Sequence, residues 1–430
     1  MMKAISLRQR VPGFLVISLF LCLLLLVSAC GAGGNNTPTG SSTPTLPVRK
    51  GATPSMTTTR TASPSATPLN VPTPGSDALT PAPGVRLGVQ PCPNGVKDPA
   101  TWASILQLVQ GEHVENVSCA NLIGDPSLQA LVTVRSEGTA ALLSIYAYNN
   151  LANPNPTQIF KLANLDEGDA KISGYNTILT GEVDTSSSVN KNAQGNASLV
   201  QDLFREFAWS SNAATFTPIA FPGLYPDLTR FQAEADQAQV SQGHQPWKLN
   251  AIITAQALAA TLLKWNPGAP ATLVKGGGAS DVKAVVQVQK TSAGSDSIKV
   301  TMYRLESNIN NGIWIVTEVE TAGADITTPD DDTSINSPIT VRGTSSALAG
   351  KIGTIAVLDH TYTDIGHIDA IGAASNGSTT FSTTVLYTST ATQGTVSQSP
   401  TEEGIVALYI YSSADGSISS MVMVKVLLHA

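Results

Sequence analysis

Histidines and carboxylates that fall close together are the first places to look for chemistry in this 430-residue chain. Its five histidines are His113, His244, His360, His367 and His429. The densest set of potential ligands is His360 and His367 with Asp359, Asp364 and Asp369. No pair has the H-E-x-x-H spacing that sets two imidazoles on one helix face. These residues suit the solvated turns of a β-hairpin better than a metal site. No G-x-S-x-G elbow offers a nucleophile. Lys275-Gly276-Gly277-Gly278-Ala279-Ser280 lacks the order of a phosphate loop and precedes a strand-like run, so it predicts a flexible turn. Asp330-Asp331-Asp332 has no following glycine and distal glutamate to complete a calcium loop, and reads as solvated charge. Between Gln242 and Trp247, His244 shares a polar loop with an indole that is expected to cap a helix–sheet core. No acid–base pair or nucleophile can be nominated. The reading is therefore non-enzymatic, with no catalytic residue, metal ligand or cofactor.

The four cysteines divide by context. Lys3, Arg8 and Arg10 precede an apolar run from Phe14 to Val27 that contains Cys22. That run is shorter than the roughly 20 residues of a spanning helix and has the pattern of a secretory signal. Val27-Ser28-Ala29-Cys30 resembles the lipobox of bacterial lipoproteins. The resemblance implies removal of residues 1–29 as a signal peptide and lipidation of Cys30. It further implies a lipid anchor in the cell membrane, on the extracytoplasmic face. A retained N-terminal anchor is the alternative. Cys92 and Cys119 remain, and an even pair in an exported chain predicts a disulfide, worth about 3–4 kcal/mol on the chain-entropy model. Only His113 lies nearby and no C-x-x-C spacing occurs, so metal binding is the weaker account.

Charged residues make up only 13% of the chain, about half the usual share, and the formal charge is −7. Neutral polar residues fill the gap, as suits a β-rich extracellular protein. With no basic patch to neutralise phosphates, nucleic acid is excluded as a partner.

These features need elements to position them. Residues 30–87 comprise the lipidated Cys30 and a disordered Thr/Ser/Pro-rich tether, marked by Thr37-Pro38, Thr43-Pro44, Ser63-Pro64 and Thr73-Pro74. Its reach runs from about 40 Å as a coil to about 170 Å as extended polyproline. Residues 88–222 predict a β-rich module, opened by a short helix at Asp98-Pro99 with Trp102, Ile105 and Leu106 on one face. It is similar to the β-meanders of exported lipoprotein domains. Residues 223–322 predict an α+β module, with a helix from Ala251 to Trp265 stopped by Asn266-Pro267-Gly268 and then three strands. The order is loosely similar to small cystatin-like exported domains. Residues 323–333 read as an acidic linker.

From 334 to 430, alternating strands recur between Gly, Asn and Asp turns, as in a sandwich. Ser337-Pro338-Ile339-Thr340-Val341-Arg342-Gly343, Ile352 to Asp359, Phe381 to Tyr387 and Ile405 to Ser413 carry a resemblance to the immunoglobulin-like domain of bacterial spore germination proteins. The resemblance implies an immunoglobulin-like sandwich and a link to sporulation or germination. The fold class expected is mainly β, with an α+β middle module. The function expected is a membrane-anchored lipoprotein that binds or scaffolds an envelope protein or glycan. The alternative is a solute- or glycan-capturing lipoprotein working with a transporter.

Overall fold

The computed structural model of the protein describes residues 81–429, apart from 139–140, 196–197, 295, 307–309, 347–349, 376–377, 390, 392–396 and 398. The expected signal peptide, Cys22, Cys30 and the expected tether up to residue 80 lie outside the described residues.

The first module starts where its sequence says. The Asp98 side chain accepts from Ala100 N and a proline occupies the first turn of α1 (Pro99–Leu106). Trp102 is buried, and its indole nitrogen donates to Val96 O. Four antiparallel strands follow as one sheet in chain order: β1 (Glu112–Ala120), β2 (Gln129–Ser136), β3 (Leu143–Asn149) and β4 (Thr157–Leu165). A second meander comprises β5 (Asp169–Ile172), β6 (Ile178–Glu182), β7 (Leu203–Ser210) and β8 (Thr215–Ile219). Ile145, Leu162 and Leu165 of the first sheet share a core with Ile172, Ile178 and Phe207 of the second. Cys92 and Cys119 are joined in a disulfide that ties the segment before α1 to the end of β1.

The middle region opens on α2 (Arg230–Ser241), a polar helix with no counterpart in the sequence reading. Then comes α3 (Ala251–Leu262), where the Asn250 side chain caps the amides of Ile252 and Ile253. Its buried face carries Ala255, Leu258, Ala259 and Leu262. Four strands follow, one more than expected: β9 (Ala271–Gly276), β10 (Lys283–Gln289), β11 (Ser297–Tyr303) and β12 (Ile315–Glu320). Lys275 and Gly276 thus end a strand that the glycine-rich run had hidden.

The supposed linker is structured. It contains β13 (Ala324–Thr328) and the start of β14 (Thr333–Ile335), and β14 pairs in parallel with the last strand. Asp331 accepts from Lys425 N at 3.1 Å, so one member of this largely exposed acidic run is held by a partner far along the chain. The remaining strands are β15 (Ile339–Ser345), β16 (Gly350–Leu358), β17 (Asp364–Ser375), β18 (Ser378–Val385), β19 (Thr401–Tyr411) and β20 (Ile418–His429). The sheet order is β13-β15-β18-β17-β16-β19-β20-β12-β11-β10-β9. One sheet thus spans the C-terminal region and the middle region, crossing at Val319 opposite Met423.

That crossing explains why β19 reads as apolar on both sides. Val406 and Leu408 face a sandwich-like core with Val341, Phe381 and Val424. Ile405 and Ala407 face the other way, into a core with Leu258 of α3, Trp314 and Met423. A strand covered on both faces needs no polar side. The fold is mainly β, with a sandwich-like C-terminal region, as expected.

Candidate functional site

The residues singled out around 359–369 go to two places. Asp359 and His360 are buried rather than solvated, contrary to the sequence reading. The Asp359 carboxylate accepts from the amides of Thr361 and Thr363, at 2.8 and 2.9 Å, and so closes the β16–β17 turn from within. His360 lies between Glu402 of β19, which meets its Nδ1, and Asp202 of the first module, 3.7 Å from its Nε2. Ser389 and Ser187 donate to those two carboxylates in turn. Burial works against a charged imidazole here, yet the nearby Asp202 carboxylate and the bond to Glu402 win and push His360 up to about 10. Burial likewise opposes ionisation of Asp202 and Glu402, but His360 and the serine hydroxyls hold both below their ordinary values.

Two further buried cations fasten the middle region to its neighbours. Arg230 of α2 bonds Glu206 of β7 at 2.9 Å and Glu306 at 3.0 Å, with its guanidinium over the Tyr175 ring. Lys425 of β20 meets Glu403 at 3.1 Å and donates to the carbonyls of Gly223 and Leu228. Burial drives Glu403 up to about 7 and Lys425 down, each partner restraining the other. A chain with so few charges uses many of them inside, between its modules. These are fastenings, closed to solvent.

The other half of the cluster is open. His367, Asp364 and Asp369 line a groove of about 460 Å³ on the face of the sheet that α3 partly covers. Strand register builds the floor. Asp369, Thr354 and Tyr409 stand in one cross-strand row on β17, β16 and β19, and His367, Ala356 and Ala407 in the next. Small alanines in the second row leave depth. The wall is the end of α3, with Leu262 and Lys264, because Lys264 adopts a left-handed φ of 58° and the chain turns away. Trp265 pins that exit through a bond from its indole nitrogen to Ile418 O at 2.9 Å.

Tyr362, Tyr409 and Tyr411 complete the groove. The Tyr362 hydroxyl donates to Leu224 O at 3.0 Å, which fixes its ring. Tyr411 is 41% exposed. Tyr409 is half-buried, and its hydroxyl bonds no described residue; burial raises it to about 12. His367 lies 2.8 Å from Asp364 and Lys351 pairs with Asp369 at 2.9 Å; with Lys264 at the wall, two lysines balance the two carboxylates of the rim. Among the described residues, no three His, Cys, Asp or Glu come together as a metal site.

The sequence alone leaves open which face of β19 Tyr409 and Tyr411 occupy. The signal available is the pairing of Tyr409 with Tyr411 at period two, near the end of a strand otherwise free of aromatics. Trp247 packs partly buried against the helix–sheet core, in the capping position expected. His113 and His244 lie elsewhere, on exposed or half-exposed surface. No protein-family model matches the chain, and no curated protein or solved structure matches it either.

Proposed function

We propose that the protein is an exported lipoprotein, anchored through acylated Cys30, whose ectodomain binds an envelope component without chemical turnover. The signal-like leader, the Thr/Ser/Pro-rich segment and the disulfide between Cys92 and Cys119 support export. The observation that carries the binding role is the groove: open, about 460 Å³, and lined by tyrosines beside balanced charges. Its size falls within the range of small-ligand sites. The alternative of solute capture between the first two modules has less support, because Arg230, Glu206 and Glu306 fill that junction. The test is cosedimentation of the detergent-purified full-length protein with isolated cell envelopes. Retention that Tyr411→Ala reduces supports the reading; equal retention of both proteins overturns it.

A further inference from the structure

We infer that the groove is a saccharide site, which takes part of an uncharged pyranose chain with equatorial hydroxyls. The inference rests on the binding role proposed above and names its ligand class. Three features carry it.

The first is shape and surface. Tyr409 and Tyr411 come from the same face of β19, and Tyr362 closes the opposite side against α3. Pyranoses with equatorial hydroxyls present flat C–H faces, which suit aromatic rings, while their edges need donors and acceptors. Tyrosine provides an apolar body with a polar tip. A pocket of a few hundred Å3 that combines such surfaces with a few placed polar groups is the ordinary form of a small-ligand site.

The second is the supply of polar atoms. The Tyr409 hydroxyl has no hydrogen-bond partner among the described residues, though the ring is largely covered. That hydroxyl is free to exchange water for a ligand partner. Beside it in register stand Thr354 and Asp369, themselves 3.2 Å apart through the threonine hydroxyl. They can accept from and donate to vicinal sugar hydroxyls.

The third is charge. Asp369 is answered by Lys351, and Lys264 at the wall offsets Asp364. A near-neutral lining selects neither a phosphorylated nor a uronic-acid ligand. The overall charge of −7 adds to the bias against polyanions.

The experiment uses full-length protein in a zwitterionic, sugar-free detergent, titrated calorimetrically with cellotetraose, chitotetraose and tetragalacturonate up to about 10 mM, enough to detect a Kd of about 1 mM. At least one of the two neutral oligosaccharides is expected to bind and the uronate is not. Tyr411→Ala should weaken binding about tenfold, and Tyr409→Phe about three- to tenfold with the fold intact. Val274→Ala, on the exposed edge strand β9, should change nothing. Tyr411 is exposed, so its variant is expected to keep the wild-type melting curve. Failure of both neutral sugars to bind overturns the saccharide assignment, as does equal binding by the Tyr411 variant. Cosedimentation with envelopes would be unaffected by that failure, so the broader binding role is judged apart from it. Chromatography of the titrated sugars supplies the last arm. Shortened products would keep the ligand class and overturn the reading without turnover.

Discussion

Arg205 in β7 donates its Nε to the main-chain oxygen of Thr401, 2.6 Å away, where β19 begins. A second guanidinium nitrogen reaches Ser399 O at 3.0 Å, and a third pairs with Glu182 of β6. One side chain thereby joins the first module to the strand shared by the other two cores. All of it is buried, with side-chain exposures of 2% for Arg205 and 0% for Glu182.

Arg205→Ala leaves Glu182 charged and enclosed without its partner. Loss of one member of a buried pair costs about 3–5 kcal/mol. The expected outcome in urea is a large fall in midpoint, with the first module opening ahead of the rest. A wild-type unfolding curve would show that the contact contributes nothing.

The shared sheet sets a second expectation. Residues 334–430 expressed alone would bare Ala407, Met421 and Met423, which the middle region covers. That fragment should expose apolar surface and melt without cooperativity, whereas 223–430 should melt as one unit. A sharp melt of the shorter fragment would establish the sandwich-like region as independent.

His360 gives a pH dependence with a definite sign. Its imidazole titrates near 6.5 when unfolded and about 10 when folded, because the Asp202 carboxylate and the bond to Glu402 outweigh burial. The folded state therefore holds the proton more tightly. The resulting stability is complete below about pH 6.5 and is lost as pH rises towards about 10. Asp202 and Glu402 are depressed, so their contribution is lost on the acid side, as pH falls through the carboxylate range. Melting temperatures of wild type should decline from neutral to alkaline pH, and His360→Gln should be less stable at pH near 6 with a flatter alkaline limb. Parallel limbs would contradict this.

Leu408 and Tyr411, three positions apart on β19, should separate core from groove. Leu408 is fully buried, and Leu408→Ala should cost about 2–5 kcal/mol. Tyr411→Ala should stay within about 0.5 kcal/mol of wild type, as exposed substitutions do. Chemical denaturation of both variants checks the contrast.

For the anchor, Cys30→Ala should abolish incorporation of a fatty-acid analogue and leave an unprocessed precursor. Equal labelling of mutant and wild type would remove lipidation from the proposal.

What could be read from the sequence was what local pattern dictates. The helix-forming run from Ala251 marks α3, although the chain turns at Lys264, before the Asn266-Pro267-Gly268 stop, and β-rich apolar runs mark β10, β11, β16, β19 and β20. The helix α2 escaped because its apolar residues are few and its anchor is Arg230, whose carboxylate partners lie on β7 and in the loop after β11. The strands inside the acidic run escaped for the same reason: Asp331 finds its donor at Lys425. His360 looked like a turn residue since its neighbour Asp359 does close a turn, while Asp202 is remote in sequence. Burial of charge is decided by partners, and partners at long range leave no local periodicity. The groove shares this character, being assembled by register across three strands and the end of a helix.

The bond between Cys92 and Cys119 also decides how the folded region answers tension. A pull applied from the N-terminal side of the chain reaches Cys92 before any helix or named strand. It then passes straight across the sulfurs to the buried end of β1, bypassing α1 and nearly all of that strand. The bypassed segment cannot pay out as slack. Under shear an oxidised molecule should yield later and over a shorter extension than a reduced one, a mechanical fuse set by a single covalent shortcut.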